Sequence, residues 1–88
     1  MTLDHRVRVL YFAKVREIIG ADTDQLQLTQ PTSILECIRK LSAFSPAHAS
    51  GLANTEELRF AINQRLVDNE ALVQVGDEVA IFPPVTGG

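Results

Sequence analysis

The chain has 88 residues, of which 45% are hydrophobic and 22% charged, a composition typical of one globular domain. Its formal net charge of −3 argues against nucleic acid as a partner, because a nucleic-acid-binding face must neutralise phosphates. No apolar run is long enough to span a membrane, and the N-terminal residues lack a signal-peptide pattern. The single cysteine excludes an internal disulfide, so we expect a cytoplasmic protein without membrane association.

The first quarter of the chain predicts two strands on either side of a short helix. The early strand is rich in β-branched and aromatic residues, and the later one alternates apolar and polar residues. Gly20 is a natural stop for the helix between them. The predicted segments are a strand over 6–13, a helix over 14–19 and a strand over 25–28.

A longer helix follows Pro31. Ser33 and Glu36 form a capping-box pattern at its start, and the apolar residues behind them recur at helical spacing. We expect this helix to reach about Phe44. Cys37 lies on its apolar side and is expected to be a core residue rather than a reactive thiol.

The second half of the chain predicts a loop and then three strands. The segment 45–55 is rich in small and turn-forming residues, which indicates a loop. Residues 58–63 alternate as in a half-buried strand, and Asn63-Gln64 fits a tight hairpin turn. After a turn at Gly76, residues 79–82 form the last strand.

This order of elements predicts an α+β domain of the β-grasp type, a mixed sheet curled around one main helix. We place the domain at residues 1–82 and an extended C-terminal tail at 83–88. The pattern by itself also allows another α+β topology.

Residues that could form a catalytic or metal site are sparse. His5 and His48 are far apart in polar or loop segments, and we expect both to be solvated. No cysteine or histidine spacing typical of a metal site and no phosphate-binding loop is present. The sequence therefore favours action through a surface or through the tail, without a metal.

Strand alternation predicts an apolar surface on the side of the sheet that faces away from the helix. This open face is predicted to carry Leu10, Phe12, Leu66 and Phe82 beside Arg8 and Arg59. A contiguous apolar surface with a charged rim is typical of a docking site. The alternative is that a loop or the N-terminal residues cover it.

The tail has the sequence Phe82-Pro83-Pro84-Val85-Thr86-Gly87-Gly88. Two prolines favour an extended chain, and two glycines make its tip thin enough for a narrow channel. These features indicate that the Gly88 carboxylate is delivered into another protein. The alternative is a flexible terminus with incidental glycines.

Three segments of the chain resemble the MoaD family, the small sulfur-carrying subunits of molybdopterin synthase. They are VRVLYFAKVREIIG at 7–20, AINQRLV at 61–67 and, most specifically, GDEVAIFPPVTGG at 76–88. The resemblance implies a ubiquitin-like, ThiS-like β-grasp fold and a heterotetramer of two small and two large subunits.

The resemblance also implies a reaction sequence. A MoeB-like enzyme uses ATP to adenylate Gly88, and a sulfur donor, a sulfurtransferase, converts it to a thiocarboxylate. The tail then enters a MoaE-like large subunit, whose residues catalyse sulfur transfer to precursor Z. Gly87 permits close approach, and Phe12, Leu66 and Phe82 dock. The carrier itself holds no permanent cofactor.

Three alternatives remain open at this point. The chain could carry sulfur for thiazole, cysteine or tRNA thiolation, or it could form isopeptide bonds as a ubiquitin-like modifier. It could also be a binding module that uses only the open face.

Overall fold

A computed structural model of the protein describes residues 5–84, which form a five-stranded mixed sheet with three α-helices. A second, two-stranded sheet lies beside it. In chain order the elements are β1 (Arg6–Tyr11), α1 (Ala13–Ile19), β2 (Thr23–Gln27), β3 (Thr32–Ser33), α2 (Ile34–Ser42), α3 (Pro46–Gly51), a 3₁₀ turn (Thr55–Glu57), β4 (Arg59–Ile62), β5 (Arg65–Val67), β6 (Leu72–Val73) and β7 (Glu78–Phe82).

The main sheet has the strand order β2-β1-β7-β4-β5. β1 and β7 pair in parallel, whereas the other neighbours in this sheet are antiparallel. A parallel pair needs a long crossover connection, and here residues 12–77, which include α2, supply it. The first and last strands of the fold are therefore neighbours in the sheet.

The core lies between one face of the sheet and α2. Val7, Val9 and Tyr11 of β1 are each at most 1% exposed, and α2 contributes Ile34 and Leu41, both fully buried. The Ser33 hydroxyl caps α2 by accepting a hydrogen bond from the Glu36 backbone N–H at 3.1 Å. The predicted β-grasp architecture and helix start are confirmed. α2 ends at Ser42, two residues short of the predicted Phe44.

The prediction of a loop over 45–55 was wrong. Residues Pro46–Gly51 form α3, in which Ser45 is the N-cap and accepts a hydrogen bond from the His48 backbone N–H at 3.1 Å. Proline is favoured in the first turn of a helix, so the Ser45-Pro46 pair was the available signal. The two-stranded sheet of β3 and β6 was also missed, because each strand has only two residues.

The prediction of a solvated His48 was wrong as well. Its Nε2 lies 2.6 Å from Oδ2 of Asp24, and its Nδ1 lies 2.7 Å from the Ser45 hydroxyl. The Tyr11 hydroxyl donates a hydrogen bond to the same Asp24 oxygen at 2.9 Å. The Tyr11 and Phe44 rings both meet the His48 ring edge to face. This cluster ties α3 to β1 and β2. His5, by contrast, is exposed.

The longest helix within residues 5–84 is α2, with nine residues. None of the helices in that part of the chain has the length and hydrophobicity needed to cross a membrane.

We expect His48→Ala to lower the free energy of unfolding by about 1–3 kcal/mol, because partly buried Asp24 and Ser45 each lose a partner. Urea denaturation measures this change. The matched control is His5→Ala at an exposed site, with an expected change within about 0.5 kcal/mol. Equal stability of the two variants would contradict a structural role for the cluster.

Candidate functional site

An apolar stripe crosses the open face of the sheet. Leu10 of β1 lies opposite Ala80 of β7, Ala80 opposite Ala61 of β4, and Ala61 opposite Leu66 of β5. Their strand neighbours Val9, Phe60 and Val79 belong to the core, so alternation directs the stripe to the other side. Leu66 is 76% exposed. The predicted face assignment of Leu10 and Leu66 is confirmed.

Ala61 is 7% exposed although it lies on this open face. It does not belong to the core cluster, and it sits between the paired residues Ala80 and Leu66. The centre of the stripe is therefore shallow, with a larger side chain at Leu66.

Two phenylalanines flank the stripe at one edge of the sheet. Phe12 follows β1 and Phe82 ends β7, and because these strands run in parallel they finish at the same edge. The Phe12 backbone N–H donates a hydrogen bond to the Ile81 carbonyl at 3.2 Å, which fixes this spacing. Phe12 is 44% exposed and Phe82 is half-buried.

The two predicted arginines lie at opposite ends of the open face. Arg59 pairs with Phe82, at the edge where β7 ends, and its Nη1 donates a hydrogen bond to the Leu58 carbonyl at 3.2 Å. Arg8 pairs with Glu78, at the edge where β7 begins. Both arginines are exposed. The face therefore has an apolar centre and one of the two predicted arginines towards each end.

A turn between β4 and β5 holds Leu66 in place. Asn63 and Gln64 both have positive φ values, 51° and 71°, as a type I′ hairpin turn requires. The Asn63 side chain donates to Oδ1 of Asp77 at 2.9 Å and accepts from the Glu78 backbone N–H at 3.0 Å. The predicted tight turn is confirmed. Its clasp to Asp77, fourteen residues away, was not predicted.

The beginning of the predicted tail is described up to Pro84. Pro83 and Pro84 directly follow β7, are half-buried, and line a groove together with residues of α1 and α3. The other predicted tail residues, Val85, Thr86, Gly87 and Gly88, lie outside the described residues. The site that the structure defines is the open face together with Pro83 and Pro84, the root of the tail.

The thiol of Cys37 and the hydroxyl of Tyr11 belong to core residues. Burial raises the pKa of the Cys37 thiol to about 11, and the side chain is 3% exposed, so a thiolate is disfavoured at neutral pH. Burial, followed by donation to Asp24, raises the pKa of the Tyr11 hydroxyl far above its usual value. Residues 5–84 contain no group of three or more histidine, cysteine or acidic side chains arranged to hold a metal ion.

The fold and the open face define the class of protein, a ubiquitin-like β-grasp domain. Solved structures agree: the small archaeal modifier protein SAMP1 from Haloferax volcanii superposes with a TM-score of 0.77, at 22% identity, over 94% of this chain and 99% of that one. One chain of the complex of subunits 1 and 2 of molybdopterin-converting factor from Helicobacter pylori superposes with a TM-score of 0.63. The identity is 24%, over 94% of this chain and 99% of that one. At these identities the likeness concerns the fold.

The sequence itself is more specific. Residues 9–88 match the ThiS family, and the chain belongs to that family. It is also 42% identical to the molybdopterin synthase sulfur carrier subunit of Escherichia coli (strain K12), over 93% of this chain and 99% of the relative. The resemblance to sulfur carriers is thereby confirmed.

We expect Leu66→Ala to change the free energy of unfolding by less than about 0.5 kcal/mol, because the side chain is mostly in solvent. The matched variant Leu41→Ala, at a fully buried leucine, should cost about 2–5 kcal/mol. Chemical denaturation of both variants compares them. If Leu66→Ala lowers the free energy of unfolding by more than about 1 kcal/mol, the side chain is packed within the chain and is not free for a partner.

Proposed function

We propose that this chain is the sulfur carrier of molybdopterin synthase and that Gly88 carries the sulfur as a thiocarboxylate. The observation that carries the proposal is the 42% identity to the Escherichia coli carrier along nearly the whole chain. The ThiS-family match, which extends through Gly87 and Gly88, supports the same assignment. The chain is then a subunit of a sulfurtransferase, and the catalytic residues lie on the large subunit.

The chemistry begins with activation of the Gly88 carboxylate. A carboxylate is a poor electrophile, so a MoeB-like enzyme transfers AMP from ATP to it and releases pyrophosphate. A persulfide sulfur of the sulfurtransferase then displaces AMP to form an acyl disulfide, and a second thiol cleaves its S–S bond, which releases the thiocarboxylate and leaves a disulfide on the donor side. ATP is a substrate of the activating enzyme and not a cofactor of this chain. We place these reactions in the cytoplasm, in keeping with the lone buried Cys37.

Delivery of the sulfur uses the open face. A MoaE-like large subunit packs on Leu66, Phe12 and Phe82, and the tail enters its active site, where precursor Z accepts the sulfur. The Helicobacter pylori structure is a complex of subunits 1 and 2 of molybdopterin-converting factor, and we propose an assembly of that kind here. The geometric support is that Phe12 directly follows β1 and Phe82 ends the neighbouring parallel strand β7, where the tail begins.

We expect the intact protein from a cell with the sulfuration machinery to appear partly about 16 Da heavier than the carboxylate form, because one oxygen is replaced by sulfur. Intact-protein mass spectrometry measures this difference. A variant that lacks Gly88 is the control and should show no such species.

Three results would contradict the proposal. Detection of the unmodified carboxylate form alone would argue against a sulfur carrier. Conjugates to lysine, without the heavier free protein, would identify a protein modifier instead. Formation of the thiocarboxylate without molybdopterin synthesis on addition of the large subunit and precursor Z would assign the sulfur to another pathway.

A further inference from the structure

A groove lies beside Pro83 and Pro84, where the chain leaves β7, on the side of the sheet that carries the helices. It has a volume of about 200 Å³ and is enclosed by α1, by the segment from the end of α3 to β4, and by the residues that follow β7. Lys14 and Glu57 are exposed residues of its lining. Its apolar and glycine lining consists of Val15, Ile18, Gly51, Leu58, Pro83 and Pro84.

The α3 wall of this groove is held in place from both ends. Near its N-terminus, His48 is fixed by Asp24 and Ser45 through contacts of 2.6 and 2.7 Å. At its C-terminus, Gly51 packs so closely on α1 that an added Cβ would lie 2.8 Å from Cγ1 of Ile19. None of the residues of α3 is itself fully buried, so these contacts position the helix. These contacts therefore fix the α3 wall of the groove.

The length of the tail decides how near a partner comes to this groove. Gly88 lies four residues beyond Pro84 in the sequence, and four extended residues span at most about 14 Å. If Gly88 enters an active site, the surface of the partner has to approach Pro84 within that distance. Because Pro83 and Pro84 line the groove, the entrance of the partner's channel comes to lie over it.

We propose that the groove receives an aliphatic side chain from the rim of the tail channel of the large subunit. The interface then continues from the open face, past Phe82 and the two prolines, onto α1 and α3. An aliphatic occupant fits because the buried residues of the lining, Val15 and Leu58, are apolar. The polar and charged residues of the lining, Lys14, Ser50, Asn54 and Glu57, are exposed. This inference rests on the proposed function, since that function brings the partner to the tail.

The test fills the groove and measures binding to the large subunit by titration calorimetry. Ser50→Trp places an indole in the groove, and we expect the dissociation constant to rise roughly tenfold or more, because the aliphatic side chain loses its place. Ala49→Trp is the matched control: Ala49 is an exposed neighbour on α3 that does not line the groove. Its expected change is below about twofold.

A second measurement keeps the proposal testable if Ser50→Trp does not fold. In the complex with the unmodified chain, methyl-labelled Ile18 should show nuclear Overhauser effects to an aliphatic methyl group of the large subunit. Such contacts support the proposal that an aliphatic side chain of the large subunit occupies the groove. Their absence, while the Leu66 methyl groups show contacts with the partner, overturns the groove and leaves the proposed function standing.

The remaining outcomes are also decisive. Equal affinity of folded Ser50→Trp and Ala49→Trp overturns the groove as a site for the large subunit. The proposal is also overturned if the unmodified chain self-associates and Ser50→Trp abolishes this self-association without changing the affinity for the large subunit. The occupant of the groove is then a second copy of the chain. Failure of the unmodified chain to bind a large subunit contradicts the proposed function itself.

Discussion

The parallel pairing of β1 with β7 is the constraint on which the rest of the structure depends. It brings the first and last strands together inside the sheet, with Leu10 opposite Ala80 and Tyr11 opposite Ile81. Both strands end at one edge, so the start of α1 and the root of the tail emerge side by side. Since β1 and β7 both contribute core residues, the point from which the tail leaves is anchored to the core.

This geometry separates stability from recognition within the same strands. Residues of one parity, such as Val9 and Ile81, are buried against α2, while Leu10 and Ala80 lie on the open face. In the function proposed above, the open face binds the partner, and Gly88 presents a carboxyl group without a side chain in the way. The buried Cys37 and Tyr11, with their raised pKa values, contribute to packing rather than to chemistry.

Much of this arrangement could be predicted from the sequence, because alternation in β-strands is a local signal. The faces of β1 and β4, the Ser33 cap and the Asn63 turn all follow from residues a few positions apart. α3 has only the Ser45-Pro46 pair as a local signal, since its small residues form no apolar stripe and its anchor joins His48 to Asp24, 24 residues earlier. The groove at the tail root is likewise built from segments distant in sequence, so no local pattern predicts it.

A single-turnover experiment tests the central claim most directly. The chain bearing a Gly88 thiocarboxylate is mixed with the large subunit and precursor Z, and its intact mass is followed together with the formation of molybdopterin. The account predicts that the mass falls by about 16 Da to that of the carboxylate while molybdopterin forms, one molecule for every two thiocarboxylates consumed, because its dithiolene holds two sulfurs. A chain that keeps its sulfur in the assembled complex, or that loses it without any molybdopterin appearing, would contradict the account.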